Sequence, residues 1–122
     1  MRNKIAKIII KSVSEIKREW KEAFQGKKRG VQKDNELIFT GFETVAKIFS
    51  KNRIEVLKAI ITEQPKSIYE ISKIVNRDFK NVHSDVKFLE EIGLIELKNV
   101  GDPRGGLMPV AKFSGIELDL AA

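Results

Sequence analysis

The sequence predicts an α+β fold, mainly helical, with helices through the middle of the chain and strands toward both ends. Three observations carry that expectation. Apolar residues recur at three- and four-residue spacing through much of residues 13–91. Short β-branched or alternating runs fall at 3–11, 36–40, 94–98, 107–111 and 116–120. Serine, threonine or aspartate precedes most helical stretches, several with glutamate three residues later, the spacing of a capping box.

The elements follow in order. Residues 3–11 are short and rich in isoleucine, as a strand is. Ser12 and Glu15 open a helix over 13–25, whose apolar side is Val13, Ile16, Trp20 and Phe24. Gly26 ends it, and Gly26-Lys27-Lys28-Arg29-Gly30 reads as a basic loop. Glu36–Thr40 reads as a strand, and Thr40 with Glu43 predicts a capped short helix carrying Val45, Ile48 and Phe49. Ser50 restarts the chain into a helix over 51–62, stopped by Pro65. Ser67 and Glu70 begin a helix of about nine residues, with Ile68, Ile71, Ile74 and Val75 on its apolar side. Asn76-Arg77-Asp78 is a tight turn in which Asp78 is a good N-cap. The next helix has Phe79, Val82, Val86 and Leu89 inward and Gly93 at its end. Leu94–Lys98 and Leu107–Ala111 are strands joined by a Gly-rich loop, with Pro109 restricting the second to a sheet edge. Ile116–Leu120 alternates strictly, as a strand with one face buried does.

Length and composition bound the function. A chain of 122 residues, 42% hydrophobic and 33% charged, suits one globular domain with its own core. There is no cysteine and a single histidine, His83, so disulfides, a thiol nucleophile and multi-histidine metal sites are excluded. No His–carboxylate pair stands at metal spacing. Gly101, Gly105 and Gly106 suit a turn better than a phosphate cradle, since no helix follows them. No enzyme activity, metal or other cofactor is therefore expected. The apolar run Ile5–Ile10 is interrupted by Lys7 and is too short to cross a bilayer, and no cleavage pattern follows it. A cytoplasmic protein with no membrane partner is the expectation.

The net charge is +6, with a pI near 9.6. Residues 1–33 hold 11 Lys and Arg against 3 Glu, a surplus of +8. Residues 34–122 hold 12 against 14 acidic residues, a balance of −2. The basic first quarter either is a solvated helix face and loop, meets nucleic-acid phosphate, or meets an acidic partner.

From residue 51 the order is helix, helix, helix, strand, Gly-rich loop, strand. That is the plan of a winged helix-turn-helix, in which the later helix enters the major groove. The chain then divides into a strand-helix-strand extension at 1–41, a winged helix-turn-helix at 42–111 and a C-terminal strand at 112–122. The stretches Ser67-Ile68-Tyr69-Glu70-Ile71-Ser72 and Arg77-Asp78-Phe79-Lys80-Asn81-Val82-His83-Ser84-Asp85-Val86-Lys87-Phe88-Leu89-Glu90-Glu91-Ile92-Gly93-Leu94-Ile95 resemble the MarR-like winged-helix regulators. They are most similar to those whose recognition helix carries an Asn-Val-His motif. Two positions depart from that pattern: Ser84 stands where arginine is frequent, and Phe88 where a small residue is common. The resemblance implies a DNA-binding transcriptional regulator; some relatives are antitoxins that repress their own operons.

At about 100° per residue, Lys80, Ser84, Lys87 and Glu91 lie opposite the core stripe, with Asn81 and His83 on the flanks. The candidate contacts to double-stranded DNA are Ser67, Arg77, Lys80, Asn81, His83, Ser84, Lys87 and, at the loop tip, Arg104. Asparagine can bond adenine bidentately, whereas lysine favours guanine or phosphate. Asp85 would repel phosphate and suits a basic neighbour or the cap of an adjacent helix. The candidate interface residues are Ile8, Ile10, Trp20, Phe24, Phe88, Ile116 and Leu118, for a homodimer or a cognate toxin. The first and last strands, with Lys4, Lys7 and Lys11 against Glu117 and Asp119, are expected to pair, within one chain or between two, with burial of their apolar residues dominating. The leading expectation is a repressor that binds operator DNA as a homodimer; the alternative is an antitoxin that binds a toxin and autoregulates.

Overall fold

The structure is a computed structural model and describes residues 4–26, 33–101 and 106–119. The fold is α+β, with five helices and five strands among the described residues. The order is β1 (Ile5–Ile10), α1 (Val13–Phe24), β2 (Glu36–Phe39), α2 (Phe42–Ile48), α3 (Lys51–Glu63), α4 (Ile68–Val75), α5 (Phe79–Glu91), β3 (Ile95–Asn99), β4 (Leu107–Ala111) and β5 (Gly115–Asp119).

The expected pairing of the first and last strands is present, within one chain and in parallel. The sheet order is β2-β1-β5, with β1 parallel to both neighbours. Ile8 lies opposite Leu37 on one side and Leu118 on the other. Parallel strands require a crossover, and α1 supplies it between β1 and β2. Lys7 Nζ reaches Asp119 Oδ2 at 3.3 Å, so opposite charges do meet across β1 and β5. Ser114 N and Lys4 O close the end of that ladder at 2.9 Å.

Residues opposite one another in this ladder share a face. Ala6 and Ile8 on that face are buried, yet Ile116 and Leu118 remain 39% and 41% exposed. The sequence suggested a last strand with a buried face. Among the described residues it is instead an edge strand, paired with β1 alone, and its apolar residues are half covered. Ile5 is also exposed, and Leu120 lies outside the described residues.

The core is continuous with this sheet. Ala6 clusters with Val56, Leu57 and Ile60 of α3, Ile68 and Ile71 of α4, Val82, Val86 and Leu89 of α5, and Leu94 and Ile95. Leu37 of β2 packs against the same cluster. The division at residue 41 therefore does not separate two cores. Fully buried residues such as Leu89 each stabilise this assembly; their truncation to alanine costs about 2–5 kcal/mol.

The helix ends show why the chain turns where it does. Ser12, Ser50, Ser67 and Asp78 each accept a hydrogen bond from the backbone N–H three residues on. Thr40 does not cap α2: the N-cap is Gly41, which offers no side chain, and Thr40 stands one residue too early. Asn76 ends α4 in the left-handed region. Gly93, at φ +88, ends α5 with its N–H on Glu90 O and the Leu94 N–H on Leu89 O. That pair of bonds is the Schellman arrangement, and its left-handed residue is why glycine is there. β3 and β4 pair antiparallel from Ile95 opposite Ala111 to Asn99 opposite Leu107. Buried Pro109 fits this two-stranded ladder, where every strand is an edge.

Candidate nucleic-acid interface

α4, the turn at Asn76–Asp78 and α5 form the centre of the site. Val82, Val86 and Leu89 lock α5 onto the core, which turns the opposite side outward. Lys80, Ser84 and Lys87 are all exposed on that side. Asn81 and His83 flank it and are exposed too. Asp78 Oδ2 accepts the Asn81 N–H at 3.4 Å and caps the end from which this row starts. Lys87 Nζ lies 3.3 Å from Glu90 Oε1, so part of its charge is already met.

Phe79 corrects the inward stripe. It is 46% exposed, because the first residue of α5 projects past the edge of the core. Its ring meets that of His83 one turn on, with centroids 5.8 Å apart and planes tilted by 41°. These two rings, with Ser67 and Tyr69 at the start of α4, Lys87, and Gly106 and Leu107 of the β4 end, line a groove of about 320 Å³. Ser67 Oγ accepts the Glu70 N–H at 3.1 Å, as an N-cap does. Glu70 Oε2 in turn accepts the Lys66 N–H at 3.0 Å. Lys73 Nζ sits 5.0 Å from the centre of the exposed Tyr69 ring.

On the other flank of α5 the polar groups turn inward. Asp85 is buried and takes Arg53 Nε at 3.3 Å and Arg77 NH2 at 2.9 Å. The basic partner that the sequence suggested for Asp85 is thus two arginines. Arg77 is correspondingly unavailable as an outward contact: its side chain is 20% exposed, and NH1 is buried without a hydrogen-bond partner. Phe88, an expected interface residue, is half-buried beneath Arg53, whose guanidinium carbon is 4.0 Å from the ring centre.

Of the remaining interface candidates, Ile8 is 1% exposed and serves the core, while Ile10 is half-buried. Their burial follows from β1 being the central strand. Trp20 and Phe24 stand out from α1, which has no buried residue. Arg104 lies outside the described residues. Sequence reasoning missed Arg53, Tyr69 and Leu107. Tyr69 could have been found from its place next to the Ser67 cap, but nothing local marked Arg53. Among the described residues no group of His, Asp and Glu could hold a metal ion. No helix among them is long and apolar enough to cross a membrane.

A family model described as HVO_A0114 matches residues 48–118, from the last residue of α2 into β5. The chain belongs to that family. None of the curated proteins matches it.

Proposed function

We propose that this chain is a winged helix-turn-helix transcriptional regulator of the MarR-like kind, which represses by occupying operator DNA as a homodimer. The observation that carries the reading is the exposed row Lys80, Ser84 and Lys87, flanked by Asn81 and His83 and shared with Glu91, on a helix whose opposite face, Val82, Val86 and Leu89, is locked into the core. α3, α4 and α5 followed directly by the antiparallel β3–β4 pair is the element order in which the later helix reads the major groove.

In this reading α5 lies in the groove with its Asp78 end leading. Asn81 bonds an adenine edge, and Lys80 and Lys87 meet guanine or phosphate. Ser67 keeps its cap, because a hydroxyl can accept from Glu70 while it donates to a phosphate oxygen. Two copies set two α5 helices on successive major-groove faces of a palindromic site. The exposed Ile116 and Leu118 on the open β5 edge are the surface available for such pairing. The role is binding alone, without a catalytic step.

The test is a mobility-shift titration of the full chain against its own upstream DNA at two salt concentrations. A salt-sensitive complex that competitor DNA does not displace supports the reading. No complex at either salt, or one displaced equally by any DNA, overturns sequence-specific regulation.

A further inference from the structure

We propose that the exposed face of α1 is a docking site for an acidic amphipathic helix of another protein. The proposal is independent of DNA binding, since α1 lies outside the α3–β4 region assigned to it.

Val13, Ile16, Trp20 and Phe24 occupy an arc of about 80° on α1. Such a stripe normally faces a core, yet Trp20 is 60% and Phe24 86% exposed. The stripe is edged on one side by Lys17 and Lys21, which line the same shallow groove of about 460 Å³ as Ile16, Trp20 and Phe24. Neither lysine has an ion pair among the described residues. The opposite edge carries Glu19, and its carboxylate is already held by Lys11 Nζ at 2.8 Å. What the groove offers is therefore an apolar floor and one unmatched cationic edge. An amphipathic helix whose apolar stripe is bordered by carboxylates complements both.

Other occupants fit less well. A second copy of α1 packed antiparallel sets Lys17 and Lys21 against their own counterparts. Packed parallel, it offers Glu19, whose charge is spent on Lys11. An anionic membrane surface selects helices rich in Lys and Arg on the polar face. On α1, Lys17, Arg18 and Lys21 are balanced by Glu15, Glu19 and Glu22.

Trp20 is the only tryptophan, so its emission reports occupancy directly. The full chain is titrated with a synthetic helical peptide bearing one leucine stripe flanked by glutamates, and with the same peptide flanked by lysines. The expected result is a blue shift with the glutamate peptide alone. The double charge reversal Lys17→Glu/Lys21→Glu should weaken that binding about tenfold or more. Phe24→Ala, an exposed position whose loss leaves the fold intact by circular dichroism, should weaken it as well. No shift, an equal shift with both peptides, or binding indifferent to the charge reversal overturns the proposal. So does a shift produced by raising protein concentration alone, or by phosphatidylglycerol vesicles alone.

Discussion

Arg53 and Asp85 tie the start of α3 to the middle of α5 across 32 residues of chain. The bond from Arg53 Nε to Asp85 Oδ1 is 3.3 Å long. NH1 of the same guanidinium donates to Lys47 O at 3.1 Å and Ile48 O at 3.3 Å, satisfying carbonyls at the end of α2. One side chain thus joins three helices, and it does so on the flank of α5 opposite Phe79 and His83. The exposed row of α5 is held in place from behind.

Asp85→Ala should be among the most damaging single changes outside the apolar core. It leaves Arg53 and Arg77 facing one another with no carboxylate between them. Removing one partner of a buried ion pair costs about 3–5 kcal/mol. Urea unfolding of the two proteins measures it; a loss under about 1 kcal/mol would mean that these bonds contribute little.

Lys80→Ala and Lys87→Ala should each weaken DNA binding and lower the salt slope by about one counterion. The effect at Lys80 should be the larger, because Lys87 already shares its charge with Glu90. Glu90→Gln should accordingly tighten binding. Titrations at several salt concentrations check the order; slopes unchanged in both lysine variants argue against this face.

Asn81→Ala should relax preference at one base pair more than it lowers non-specific affinity. Loss of a bidentate contact is worth about 1–3 kcal/mol of discrimination. Selection of binding sites from random DNA, before and after the change, reads this directly. A shift in affinity with an unchanged consensus would assign Asn81 to the backbone instead.

Phe79→Ala separates stability from recognition. The ring is half exposed, so its removal should cost about 1 kcal/mol or less by thermal unfolding. DNA affinity should fall several-fold, because the ring stands at the leading end of α5, where apolar contact with thymine methyl groups is available. A variant that loses stability but keeps affinity places Phe79 in the fold alone.

Much of the architecture was legible because its signals are local. The serine caps at Ser12, Ser50 and Ser67, the Asp78 cap and Gly93 mark helix ends through hydrogen bonds three to five residues long in sequence. Val82, Val86 and Leu89 mark the buried stripe by spacing alone. The failures share a different cause. Phe79 continues that spacing, but periodicity does not say where the core ends. In sequence, Ile8 and Ile10 are equally consistent with burial in a sheet and with an interface, and the pairing of β1 on both sides decides for the sheet. Arg77 reads as an outward cation until Asp85 folds beside it. Arg53 and Asp85 are too far apart in sequence for either to announce the other.

The pairing of β1 with β5 has a consequence for the order in which the molecule assembles. Ser114 Oγ reaches Lys4 O across 110 residues, at 3.4 Å. Closing so long a loop is slow compared with docking α3, α4 and α5, which are neighbours along the chain. During synthesis β1 emerges well before β5, so the edge of β1 that pairs with β5 stays open until residues 115–119 follow. The helical layer and its outward row can therefore form while the sheet is still one strand short, before β5 pairs with β1.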